Sequence, residues 1–84
     1  QPDEAMERYM NVVYVYLAEA ERGVPGDALW FTRAAFSAAE IREPQEKWNE
    51  AIGIYQRVAG AGIAAAAEAE ARIQRIREKQ GAAD

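Results

Sequence analysis

A nine-residue pattern occurs twice in this chain. Glu4-Ala5-Met6-Glu7-Arg8-Tyr9-Met10-Asn11-Val12 returns as Glu50-Ala51-Ile52-Gly53-Ile54-Tyr55-Gln56-Arg57-Val58, with Glu, Ala, Tyr and Val identical in register and Met6 matched by apolar Ile52. Similarity at a fixed offset is the mark of a repeat architecture. A single repeat cannot bury its own apolar face, so the echo implies helices stacked side by side into an array. It points to a scaffold surface rather than a reactive centre. If the copies are equivalent, each packs on a shared alanine-lined neighbour, and Tyr9 and Tyr55 have like surroundings.

Periodicity of apolar residues divides the chain into four helical stretches. The first runs from about Asp3 to Arg22, with Met6, Tyr9, Met10, Val13, Leu17 and Ala20 on one face. Val12-Val13-Tyr14-Val15-Tyr16 is rich in strand formers, but the helical period continues on both sides of it. Gly23-Val24-Pro25-Gly26 is the clearest break: Gly23 suits a helix C-cap, Pro25 blocks continuation, and Asp27 suits the next N-cap. The second helix, about Asp27 to Arg42, carries a small-residue stripe of Ala35, Ala38 and Ala39 beside Phe31. Leu29, Trp30 and Phe36 lie off that stripe and need another partner. The third helix is expected from about Pro44 to Ala59, with Pro44 in the first turn, where its missing N–H costs nothing. Trp48, Ala51, Ile52, Tyr55, Val58 and Ala59 form its inner side. Gly60-Ala61-Gly62 stops it. The fourth, about Ile63 to Gln80, uses Ala66, Ala69, Ile73 and Ile76, and pairs Glu68 with Arg72 at i,i+4. Gly81 is placed as its end, with Ala82-Ala83-Asp84 frayed. Short junctions force antiparallel neighbours, which fits either a closed four-helix bundle or an open array of hairpins.

The Ala5-x-x-x-Tyr9 and Ala51-x-x-x-Tyr55 pairs resemble the Ala-x-x-x-aromatic signature in the second helix of a tetratricopeptide (TPR) hairpin. By that resemblance, Ala35-Phe36-Ser37-Ala38-Ala39-Glu40 through Val58 is a degenerate complete hairpin. The first helix is then the second half of a preceding repeat. The last is the first half of a following repeat or a terminal cap. The echo's offset, Glu4 to Glu50, exceeds the TPR period of about 34 by about 12 residues. Lengthened helices account for this, since the surplus adds roughly 9 Å to each of two helices. The large residue, Leu-Gly and Tyr of a TPR first helix are replaced here by Ala35, Ala38-Ala39 and Arg42, and Ile63 stands where a Pro follows the second helix. The expected fold is all-α, a single long-helix TPR-like domain forming part of a longer array.

The resemblance implies a groove lined by first helices. Arg33, Phe36, Ser37, Glu40 and Glu43 would face it from the second helix, and Glu70, Gln74 and Arg77 from the last. Phe36 and Glu40 replace the Lys and Asn with which TPR domains grip a C-terminal carboxylate, so a mixed apolar and polar segment is the expected ligand. A second reading is a self-associating structural module, because half-repeats at both ends leave apolar faces uncovered. More aromatic residues occur than four thin helices cover, so Tyr14, Tyr16, Leu29 and Trp30 are placed facing something outside the chain.

Chemistry is sparse. With no His or Cys, one Ser and one Thr, the chain lacks a nucleophile paired with a base, and Ser37 reads as a small residue at a helix contact. Glu40, Glu43, Glu46 and Glu50 read as a solvated face without calcium-loop spacing, and no glycine-rich phosphate cradle exists. An enzyme, a metal centre and a cofactor site are therefore not expected. Ten basic against 14 acidic residues, net −4, disfavours nucleic acid. Arg72, Arg75, Arg77 and Lys79 read as dipole compensation at a helix end rather than an RNA or lipid contact. No run of 18 apolar residues is present to span a membrane.

Overall fold

The structure, a computed structural model, describes residues 2–83, so Gln1 and Asp84 lie outside it. All regular structure among the described residues is helical: α1 (Pro2–Glu21), α2 (Ala28–Arg42), α3 (Trp48–Ala59) and α4 (Ala66–Ala83). No helix among them is long and apolar enough to cross a membrane. The β-forming run 12–16 is helical because Val13 is fully buried against α2, and tertiary packing outweighs local propensity.

Helix ends follow local chemistry where a residue demands it. Gly23 takes φ 76°, and the Gly23 and Val24 N–H groups donate to the Ala20 and Glu19 carbonyls at 3.0 and 2.8 Å, closing α1. Asp27 caps α2 through its carboxylate, which accepts from the Trp30 N–H at 3.1 Å. Gly26 is needed for a different reason: a Cβ there would lie 2.8 Å from the Tyr16 ring. Two helix starts differ from the sequence reading. Pro44 does not open α3; it lies in a turn closed when the Lys47 N–H donates to the Arg42 carbonyl at 3.1 Å, with Glu46 at φ 56°. That left-handed residue cannot belong to a helix, so α3 begins at Trp48. Gly62 at φ 70° likewise delays α4 to Ala66. At the other end α4 runs through Gly81 to Ala83, so Gly81 is not its terminus.

Backbone packing runs only between chain neighbours: α1 with α2, α2 with α3, and α3 with α4. A closed bundle requires its first and last helices to meet, and these do not. The result is an open, thin layer with extents of 43 × 29 × 16 Å. α2 lies between α1 and α3, and Ala34, Ala35, Ala38 and Ala39 are its buried stripe together with Phe31. Ala51, Ile52, Ile54, Tyr55 and Val58 of α3 and Ala69, Ile73 and Ile76 of α4 complete the core. Ala20, assigned to the buried face of the first helix, is exposed. Tyr16, assigned to an outer surface, stacks on Phe31 with ring centroids 4.2 Å apart and planes at 13°.

The two echo tyrosines do not share surroundings. α1 and α3 both pack on α2, as the echo requires, but α3 has α4 on its other side. Tyr55 is therefore fully buried and Tyr9 only half-buried. The sequence copies are alike; the number of neighbours is not.

Candidate functional site

Of the places on this layer that bring polar and aromatic side chains together, two hold residues expected to line the groove. The first is built around Tyr55. Its ring meets Phe36 of α2 edge to face, centroids 5.4 Å apart at 75°. Its hydroxyl donates to Glu43 Oε2 at 2.6 Å and accepts from Arg72 Nη1 at 3.3 Å. Arg72 comes from α4 and is shared four ways. Its Nη1 pairs with Glu40 Oε2 at 2.8 Å, its Nε with Glu68 Oε2 at 3.1 Å, and its guanidinium lies 4.3 Å from the Phe36 centroid. Partial burial opposes the Arg72 charge, but the hydrogen bonds to Glu40, Tyr55 and Glu68 outweigh it and hold its pKa up. This one side chain ties α4 to α2 across α3.

Burial, and then the hydrogen bond to the Glu43 carboxylate, push the Tyr55 phenol from 10.0 up to about 12. The sign follows directly. A folded-state pKa above the unfolded one means stability is complete below pH 10 and is lost as the pH rises towards 12. Two units correspond to on the order of 2–3 kcal/mol. Urea unfolding between pH 9 and about 12 is expected to show this loss, and Tyr55→Phe is expected to flatten it.

The second place is the groove between α1 and α2. Arg8, Tyr9 and Val12 line one wall; Trp30, Arg33, Ala34 and Ser37 line the other. It encloses about 350 Å³. Trp30 is 58 % exposed there, and neighbouring Leu29 is 66 % exposed. Neither Arg8 nor Arg33 forms an ion pair among the described residues.

The eight residues expected to line one groove fall in three locations. Phe36, Glu40 and Glu43 converge on the Tyr55–Arg72 cluster. Arg33 and Ser37 line the α1–α2 groove. Glu70, Gln74 and Arg77 face a shallow surface beside Gln56 and Ala59 of α3. The side of α4 turned toward α2 instead carries Arg72 and, over the Trp48 ring at 5.8 Å, Lys79. The acidic run is not simply solvated: Glu40 holds Arg72, Glu43 holds Tyr55, and Glu50 lies 3.4 Å from Arg42. Arg72 and Trp30 are the residues the groove expectation missed. A cross-helix partner for Arg72 gives no local sequence signal, whereas the surplus of aromatics did flag Trp30. Among the described residues no group of three or more acids is arranged to hold a metal ion.

The chain matches no protein-family model, no curated protein and no solved structure.

Proposed function

We propose that this chain is a non-catalytic protein-interaction scaffold: a long-helix, TPR-like array whose grooves hold a segment of a partner protein. The open layer carries this reading. Helices that pack only on chain neighbours leave long lateral grooves, which a closed bundle of the same length would consume. A large apolar side chain, Trp30, stays in water along one of them, and Leu29 next to it in sequence is also exposed. The absence of His and Cys from the sequence fits a binding role better than a chemical one.

A direct test is fluorescence anisotropy of labelled amphipathic peptides, helical and extended, titrated with the 84-residue chain. Saturable binding at micromolar concentration is expected, competed by unlabelled peptide. Failure of every peptide to bind a monomeric chain would refute the proposal. The second reading, a self-associating structural module, draws on the same exposed residues, with Tyr14 and Val15 added from α1. It requires a concentration-dependent dimer in sedimentation and no peptide affinity.

A further inference from the structure

The difference between Tyr9 and Tyr55 locates a vacancy and specifies its occupant. In the α3 copy of the echo, Ile54, Tyr55 and Val58 are buried because α2 lies on one side and α4 on the other. In the α1 copy, the matching Arg8, Tyr9 and Val12 are half-buried or exposed, since α2 alone packs its backbone against that helix and α3 reaches it further along, through Arg57 over the Tyr14 ring at 5.5 Å. α2 stands to α1 as α4 stands to α3. What α1 lacks is a counterpart of α2 itself.

The covered copy shows which chemistry suits that position. α2 places Phe36 edge-on to Tyr55, gives Glu43 to the Tyr55 hydroxyl, and gives Glu40 to a cation from the helix beyond, Arg72. The open copy offers groups of the same kind, although Arg33 corresponds in register to Lys79 and not to Arg72. The Tyr9 hydroxyl makes no hydrogen bond among the described residues, Val12 and Ala34 supply apolar walls, and Arg33 supplies an unpaired cation from α2. Glu4 and Glu7 lie beside Arg8, so charge at that end is mixed and Arg33 is the cation that sets the preference.

We infer that the α1–α2 groove docks an amphipathic acidic helix from a partner protein, with an aromatic residue against Tyr9 and a carboxylate on Arg33. This rests on the scaffold reading and deepens it. A second copy of this chain is the weaker occupant, because its one Phe-x-x-x-Glu-x-x-Glu helix, α2, already has Phe36, Glu40 and Glu43 engaged internally.

The probe is a designed helical peptide of about 18 residues, long enough to form a helix on contact. It carries Phe and two Glu at the spacing of Phe36, Glu40 and Glu43, and a control carries Lys in place of both Glu. Titrated into the ¹⁵N-labelled chain, the acidic peptide is expected to shift amide resonances of residues 8–15 and 30–37. Arg33→Glu, at an exposed position that leaves the core untouched, is expected to weaken it at least 10-fold and to favour the Lys control. Binding that shifts only α3 and α4 resonances, or ignores Arg33→Glu, would overturn this inference and leave the scaffold reading standing. Concentration-dependent self-association that shifts the same 8–15 and 30–37 resonances, without peptide binding, would make a second copy the occupant and overturn it too. A monomer that binds no peptide would overturn both.

Discussion

Tyr55→Ala is expected to remove a large share of the stability of this chain, whereas Tyr9→Ala, at the matching place in the echo, is expected to remove little. Truncating a fully buried aromatic costs about 3–5 kcal/mol through lost burial and the cavity left behind. The Tyr55 ring is 0 % exposed, and its loss also strips Phe36 of its edge-on partner and Glu43 of its donor. Eighty-four residues support a total of only about 4–13 kcal/mol. The loss is about half of a mid-range total. Tyr9 is half-buried with one neighbouring helix, so its truncation is expected to cost about 1 kcal/mol. Urea titration followed by circular dichroism at 222 nm separates the two. Equal losses would mean that the open side of α1 is covered in solution.

Ala38→Leu gives the second large effect, and its sign is the informative part. More buried apolar area alone predicts a gain, since each added CH₂ is worth about 0.8 kcal/mol. Helix propensity is nearly neutral for this exchange. But Ala38 is 0 % exposed on the face of α2 that includes Ala34, Ala35 and Ala39, with α1 and α3 on either side. Three extra carbons have no space there, and overpacking of this kind costs about 1–3 kcal/mol. A net loss in that range is expected from the urea midpoint. Ala18→Leu, on the exposed face of α1, is expected to stay within about 0.5 kcal/mol of the parent. Stabilisation by Ala38→Leu would mean that the alanine stripe is loosely packed.

Much of this architecture is written in local chemistry. Gly23, Pro25 and Asp27 punctuate the chain as their backbone preferences require, and the alanine stripe of α2 and the Ala51–Val58 face of α3 are read directly from a 3.6-residue period. What escapes such reading depends on a conformation or a partner chosen elsewhere. Pro44 is favourable in a first turn, yet Glu46 adopts a left-handed conformation that no preference of Glu announces, and α3 starts later. Gly81 ordinarily ends a helix, but α4 passes through it. Tyr16 sits in a run of aromatics that reads as outward-facing, and only the path of α2 brings Phe31 beneath it. The candidate site divides in the same way. Phe36, Glu40 and Glu43 share a stripe that spacing reveals; Arg72, which gathers them, already has an i,i+4 partner in Glu68 and gives no sign of its reach to α2. Glu70, Gln74 and Arg77 lie elsewhere because the rotation of α4 about its axis is set by Ala69, Ile73 and Ile76.

Neighbour-only packing has a further consequence, for how the chain acquires and loses order. Contacts close in sequence are cheap to close in entropy, so each adjacent pair of helices is able to nucleate without waiting for the chain ends to find one another. Damage spreads by the same rule: through backbone packing, a perturbation in α4 reaches α1 by way of α3 and α2 in turn. Terminal helices in such a lattice melt before the middle ones. Two side chains reach past a neighbouring helix and work against this fraying: Arg72 brackets α4 to α2, and the Arg57 guanidinium of α3 lies 5.5 Å from the centroid of the Tyr14 ring of α1.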